Sequence, residues 1–96
     1  MFQDFTEKSK IHIRLQKTGH RSITLIEGLD LDLDLHRIAK AMKKHFSCAS
    51  SIQKDLQDND VIQLQGDQRE NVKEWLIVQE ILTEKEAKDR LVVHGG

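Results

Sequence analysis

Ile11-His12-Ile13-Arg14-Leu15-Gln16 alternates apolar and polar residues. A period of two is the signature of a strand with one buried face, so Ile11, Ile13 and Leu15 are expected to point into a core. Ser22-Ile23-Thr24-Leu25-Ile26 is a second run rich in β-branched residues. Between them, Lys17-Thr18-Gly19-His20-Arg21 places a glycine where a tight turn needs positive φ. Together these segments predict a β-hairpin with a basic tip.

Beyond Gly28 the period changes. Asp34 is an N-cap candidate, and Leu35, Ile38, Ala39, Met42 and Phe46 recur at the spacing of one helical face. Arg37, Lys40 and Lys44 fall on the opposite side, which predicts an amphipathic helix with a basic solvent face running to about Ser47. Ala49–Lys54 is a weaker strand that rests on Ile52. Asp55-Leu56-Gln57-Asp58-Asn59-Asp60 is an acidic turn, and Val61-Ile62-Gln63-Leu64-Gln65 alternates again before Gly66. Asp67-Gln68-Arg69-Glu70 has capping-box spacing and opens a second helix, with Val72, Trp75, Leu76 and Leu82 on its apolar face. A further capping box, Thr83-Glu84-Lys85-Glu86, predicts a break and a short helical turn before a last strand, Leu91-Val92-Val93. The order is β-β-α-β-β-α-β. The expected fold class is α+β, a two-layer sandwich with two helices packed on one face of a five-stranded sheet. A tail over residues 1–10 and a single domain over 11–96 are expected; the patterns leave the order of the strands open.

Composition narrows the function classes. The 96 residues suffice for one modest core. No stretch approaches the ~20 apolar residues of a membrane span, so no membrane partner is expected. Residues 1–10 carry four charges and lack the apolar centre of a secretory signal. The single cysteine, Cys48, fits a reducing compartment. Charge is divided along the chain: residues 1–48 hold nine Lys/Arg against six Asp/Glu, and residues 49–96 hold six against ten. Three of the first six acids are bunched at Asp30, Asp32 and Asp34. Such asymmetry suits a polyanionic partner, because an approaching ligand feels the local field rather than the net charge; on charge alone, two ordinary solvated faces are the commoner explanation.

Catalysis finds little support. There is no Gly-x-Ser-x-Gly elbow and no glycine-rich phosphate loop. His36, His45 and Cys48 have no second Cys/His pair to complete a metal site, so neither a metal nor a cofactor is expected. Stacking of bases on the sheet is also unlike this chain. Its aromatics are Phe2 and Phe5 in the tail and Phe46 and Trp75 on apolar helix faces. Phosphate recognition by Lys17, His20, Arg21, Arg37, Lys40, Lys43 and Lys44 is what remains. Ile77 and Ile81 form an apolar i, i+4 pair on a charged helix side. The pair is either a small protein contact or is covered by residues 83–90.

Ile62-Gln63-Leu64-Gln65-Gly66-Asp67-Gln68-Arg69 resembles the signature of the eukaryotic translation initiation factor 1 family. Ile11-His12-Ile13-Arg14 before a basic turn, the helix Ile38–Cys48 and the ending Val93-His94-Gly95 resemble it as well. The resemblance runs over residues 11–82 and resumes at 91–95. It implies a cytoplasmic factor, monomeric off the ribosome, that binds small-subunit rRNA near the P site. It implies promotion of scanning and stringent start-codon selection, by opposing full seating of initiator tRNA until codon and anticodon pair. No catalytic residue is implied. Carried over by position, Lys17, Gly19, His20 and Arg21 would approach rRNA and tRNA, and Arg37, Lys40, Lys43 and Lys44 would face rRNA phosphates. Asp55 and Asp58 would face initiator tRNA and repel its phosphates. Within Gln65-Gly66-Asp67-Gln68-Arg69, helix capping explains Asp67, and Arg69 is the candidate RNA contact.

The chain departs from the family pattern in a shorter, less basic hairpin loop and in Ile81 where a glycine is expected. Extra residues fall within Thr83–Arg90, and Gly96 stands in place of a terminal aromatic. The resemblance implies a longer tail that serves contacts with other initiation factors; ten residues precede the first expected strand. Two other functions stay open: a divergent relative acting in recycling, reinitiation or specialised translation, and a protein-interaction adaptor using Ile77 and Ile81.

Overall fold

A computed structural model describes residues 10–30 and 32–95. The expected tail lies outside these residues but for Lys10, as does Gly96. The alternating segments form strands β1 (Ile11–Thr18), β2 (Arg21–Glu27), β3 (Ser50–Lys54), β4 (Asp60–Gln65) and β5 (Leu91–Val93). Helix α1 covers Leu35–Phe46, α2 Arg69–Val78 and α3 Glu84–Arg90. The five strands make one sheet in the order β3-β4-β2-β1-β5. All neighbours are antiparallel except β5, which runs parallel to β1. The order follows from the connections: hairpins keep β1 beside β2 and β3 beside β4, while α1 carries the chain to one edge and α2–α3 carry it to the other.

The helices share one face of the sheet. Helix α1 packs over β3 and β4, α2 over β1, and α3 against α2 and β5. Between the layers lie Ile11, Ile13, Ile26, Ile62 and Leu64 from the sheet, met by Ile38, Ala39, Met42, Val72, Trp75, Leu76, Leu82 and Ala87. The α1 stripe buries as its spacing predicts, with Leu35 and Phe46 half-buried at its ends. Asp34 caps the helix, its carboxylate accepting from the Arg37 N–H at 3.2 Å.

Among the described residues, three helices stand where two were expected. The second apolar stretch breaks at Glu80, whose φ is +61°, and the N–H groups of Ile81 and Leu82 both turn back to the Leu76 carbonyl. Thr83 and Glu86 then form the expected capping box, and seven residues rather than a single turn follow as α3. Arg90 at its end is 6% exposed and donates to Asp30 at 2.8 Å, tying α3 to the loop between β2 and α1.

The start of α2 corrects the other capping prediction. Its N-cap is Gln68, with no side-chain cap, and the Asp67 carboxylate grips Arg69 instead of closing a box with Glu70. The reason is tertiary. The fully buried Thr24 hydroxyl donates to the Gly66 carbonyl at 2.7 Å and accepts the Gln68 N–H at 2.8 Å. A side chain from β2 therefore replaces the local cap. The Gly66 N–H also bonds the Ser22 carbonyl at 2.7 Å, and Gly66 has a φ of +90°.

Thr24→Val keeps the shape of the side chain and orphans both partners. Its expected cost is about 2–4 kcal/mol, from an unsatisfied carbonyl and an unsatisfied N–H. Urea unfolding of the variant against the parent measures it; a loss below ~1 kcal/mol would show that the junction is held elsewhere.

Candidate nucleic-acid interface

The sandwich has two unlike ends. At one end lie the β1–β2 tip, the C-terminal end of α1 and the β4–α2 junction. Lys17, Gly19, His20 and Arg21 are exposed on the tip, where Gly19 has a φ of +62°. Lys40, Lys43 and Lys44 line an open groove with Ser47, Cys48, Ala49, Gln65 and Gln68. Ala49 and Gln65 also line a neighbouring depression with Arg21, so the α1 lysines and the hairpin flank continuous surface. The end of α1 is shaped by Ser47, left-handed at φ +52°, and by the Ser50 hydroxyl, which bonds the Ala39 carbonyl at 2.9 Å. Lys43, Lys44 and His45 occupy the last turn of α1, at the negative end of the helix dipole. Arg37 lies on the same helix about 9 Å before Lys43, at 1.5 Å per residue, and outside the groove.

The opposite end is acidic. Asp55, Asn59 and Asp60 border a concavity with Glu27, Gly28 and Leu35. The Asp55 carboxylate is turned into its own loop, accepting the Gln57 N–H at 2.8 Å and the Asn59 N–H at 2.9 Å. The Asn59 bond holds its carboxyl below the usual range, so it stays anionic. Asp58 is exposed in a left-handed conformation at φ +65°. Lys54 and Asp60 pair at 2.9 Å across the base. The length of β2, about 20 Å at 3.4 Å per residue, separates this loop from the basic end, well beyond a Debye length in physiological salt.

Within the Gln65–Arg69 segment, most polar groups are spent internally. The Gln68 amide donates to the Gln65 carbonyl at 3.1 Å and accepts from Asn71 at 2.8 Å. Arg69 gives Nε and Nη2 to Asp67 at 2.9 and 2.8 Å and Nη1 to the His94 carbonyl at 2.8 Å. That pair holds the Asp67 carboxyl below its ordinary range and raises the guanidinium above its own. Arg69 is thus an internal brace and stands apart from the lysine groove. Thr24, which sets the whole junction, was not among the expected site residues; nothing in its own strand pattern separates it from a neutral core threonine.

Two further expectations concern apolar and thiol groups. Ile77 and Ile81 are half-buried and packed against the core, and Ile77 also lines a surface groove with Glu84, Ala87 and Leu91. Val78, at 66%, and Val93, at 39%, are exposed apolar side chains of that groove. Cys48 is half-buried at the groove floor, and no cluster of three metal-ligating side chains occurs among the described residues. Burial pushes the Cys48 thiol above its ordinary pKa, with a Gln65 backbone bond working partly against it. At neutral pH it is expected to react with iodoacetamide about three- to ten-fold more slowly than a free model thiol. Alkylation at the model rate or faster would show an activated cysteine.

Residues 7–82 match the family described as Translation initiation factor SUI1. The chain is similar to eukaryotic translation initiation factor eIF-1 of Saccharomyces cerevisiae, at 43% identity over 86 residues, 88% of this chain and 76% of that one. It is similar to protein translation factor sui1 of Schizosaccharomyces pombe at 43% over 88 residues, 91% and 77% of the two chains. For eIF1 of Drosophila melanogaster the figures are 36% over 93 residues, 96% and 81%. Among solved structures, the C-terminal domain of human eIF2D shares the fold at a TM-score of 0.68 and 21% identity, over 93% of this chain and 43% of that one. With the Gln65–Arg69 junction, the basic helix and the hairpin all inside the matched span, the chain belongs to the SUI1 family of translation initiation factors.

Proposed function

We propose that this initiation factor works on the small ribosomal subunit near the P site, promoting scanning and stringent start-codon selection. The observation that carries the reading is the gathering of Lys40, Lys43 and Lys44 along one groove with Arg21 beside it. Ammonium and guanidinium groups along an open groove suit rRNA phosphates. The groove offers charge and shape and no stacking platform, so rRNA is bound for its backbone rather than for its bases.

The acidic end supplies the second half of the mechanism. With the basic end held on rRNA, Asp58 is presented on an ordered loop whose Asp55 carboxylate is already committed to the turn. Initiator tRNA seated fully in the P site brings its phosphates towards this loop. The factor then binds the complex better before codon recognition than after it. That difference is required, because equal affinity for two states shifts nothing. The factor catalyses no reaction; its output is a population shift and its own release. It acts in the cytoplasm, monomeric off the ribosome, with rRNA and the initiator tRNA region as partners and other initiation factors as neighbours.

Binding of the labelled chain to purified eukaryotic small subunits across a salt series tests the anchor. Lys40→Glu/Lys44→Glu is expected to weaken binding at least ten-fold and to reduce the log–log salt slope by about two. No binding by the parent chain would overturn the ribosomal reading. Asp58→Lys tests the acidic loop while leaving the Asp55 clamp in place. Initiation at near-cognate codons should rise, and unchanged fidelity with normal subunit binding would remove the loop from the mechanism.

A further inference from the structure

The sheet face away from the helices carries two imidazoles at its β1–β5 edge. His12 Nδ1 and His94 Nε2 stand 2.9 Å apart, with ring centroids 5.2 Å apart and 26° between planes, so the rings meet edge to edge. The register sets His12 beside Val92, so His94, two residues on, emerges on the same face. The His94 backbone is itself a junction. Its N–H donates to the Ile13 carbonyl and its carbonyl accepts from Arg69 Nη1, each at 2.8 Å. Strand β5 has only three residues and lies at the sheet edge, so few other bonds hold it.

Two imidazole nitrogens at this distance hold one proton between them. One ring donates and the other accepts, and a single added proton on the pair leaves that bond intact. A second sets N–H against N–H and places two cations in contact. The surroundings do not neutralise both charges. Arg14 of β1 lies close by, and the carboxylate of Glu27 on β2, the cross-strand neighbour of His12, is committed to Arg14 at 3.0 Å. On the β4 side, Asp55 and Asp60 line the concavity that His12 borders, with Asp60 paired to Lys54. From α2, Arg69 adds positive charge at the His94 carbonyl, balanced by Asp67. Burial first, then Arg14 and His12, hold the His94 ring below the ordinary histidine range, with Glu27 acting in the other direction. A detached β5 would release His94 to its ordinary proton affinity. The docked form therefore loses stability as pH falls through about 6.5, where the detached form takes up the proton first.

We propose that His12 and His94 form a proton-operated latch on β5, closed while one proton bridges the rings and opened when both are charged. Opening frees His94 from β1 and removes the carbonyl on which Arg69 rests, so protonation at the sheet edge loosens the Gln65–Arg69 junction. The latch belongs to the free chain and operates whatever that chain binds.

Amide hydrogen exchange followed by NMR on the full chain tests it. Protection factors, corrected for the intrinsic pH dependence of exchange, are compared between about pH 7 and about pH 5. The His94 amide is expected to lose protection about ten-fold, while amides of the central β2–β4 ladder keep theirs. The double variant His12→Gln/His94→Gln retains a neutral donor–acceptor pair and should lose the pH response. Constant His94 protection in the parent would overturn the latch. So would an equal fall in the double variant, which would assign the response to other groups. Should that variant fail to dock β5, histidine ring titration in the parent decides. The His94 ring is expected to titrate below the ordinary histidine range, and titration at the ordinary value would overturn the proposal.

Discussion

The Thr24 hydroxyl is the constraint on which the domain turns. It sits with no solvent exposure on β2, yet its two bonds go to Gly66 and Gln68, at the point where β4 gives way to α2. A buried hydroxyl is costly unless satisfied, and this one is satisfied only when strand and helix meet in one geometry. Gly66 supplies the left-handed turn, and Arg69 then reaches Asp67 and the His94 carbonyl. The junction therefore fixes the entry of α2, the end of β4 and the docking of β5 together. The signature segment is in this sense a cross-brace: the side chains that make it recognisable mostly bond one another.

That brace occupies the polar side chains of the signature, and the exposed basic groups of this end lie elsewhere. Lys40, Lys43 and Lys44 are on the solvent side of α1 because Ile38, Ala39 and Met42 occupy the core side. The hairpin tip reaches the same end because the β2–β4 register and the Ser22–Gly66 bond align it there. The acidic β3–β4 turn is carried to the other end because two antiparallel strands must reverse opposite to where they start. A division of charge between halves of the chain becomes a polarity between ends of the sandwich.

Most of the strands and helices were legible because local periodicity and global packing agree. The hairpin, α1, the acidic turn and the break at Thr83 all follow from spacing and capping chemistry. Asp67 and Glu70 have capping-box spacing without forming the box, because the Asp67 carboxylate is bound to Arg69 and the N-cap is Gln68, whose N–H goes to a threonine on another strand. Spacing undercounted the helices because seven residues after a capping box sit at the border between a turn and a helix, and burial of Ala87 and Arg90 decided the matter. The basic groove was legible as a helix face, and its partner Arg21 less so, since the two are joined only through Ala49 and Gln65.

The sequence by itself determined the element types, the apolar face of each helix and the basic and acidic segments, because these depend on the alternation of side chains along a local backbone. Its signature segment also sufficed to point to the family. Only the tertiary structure decided the strand order, the spending of Arg69 on internal partners and the meeting of His12 with His94 across 82 residues of chain. Those facts depend on which distant groups compete for a buried donor or acceptor, and no local pattern carries that competition.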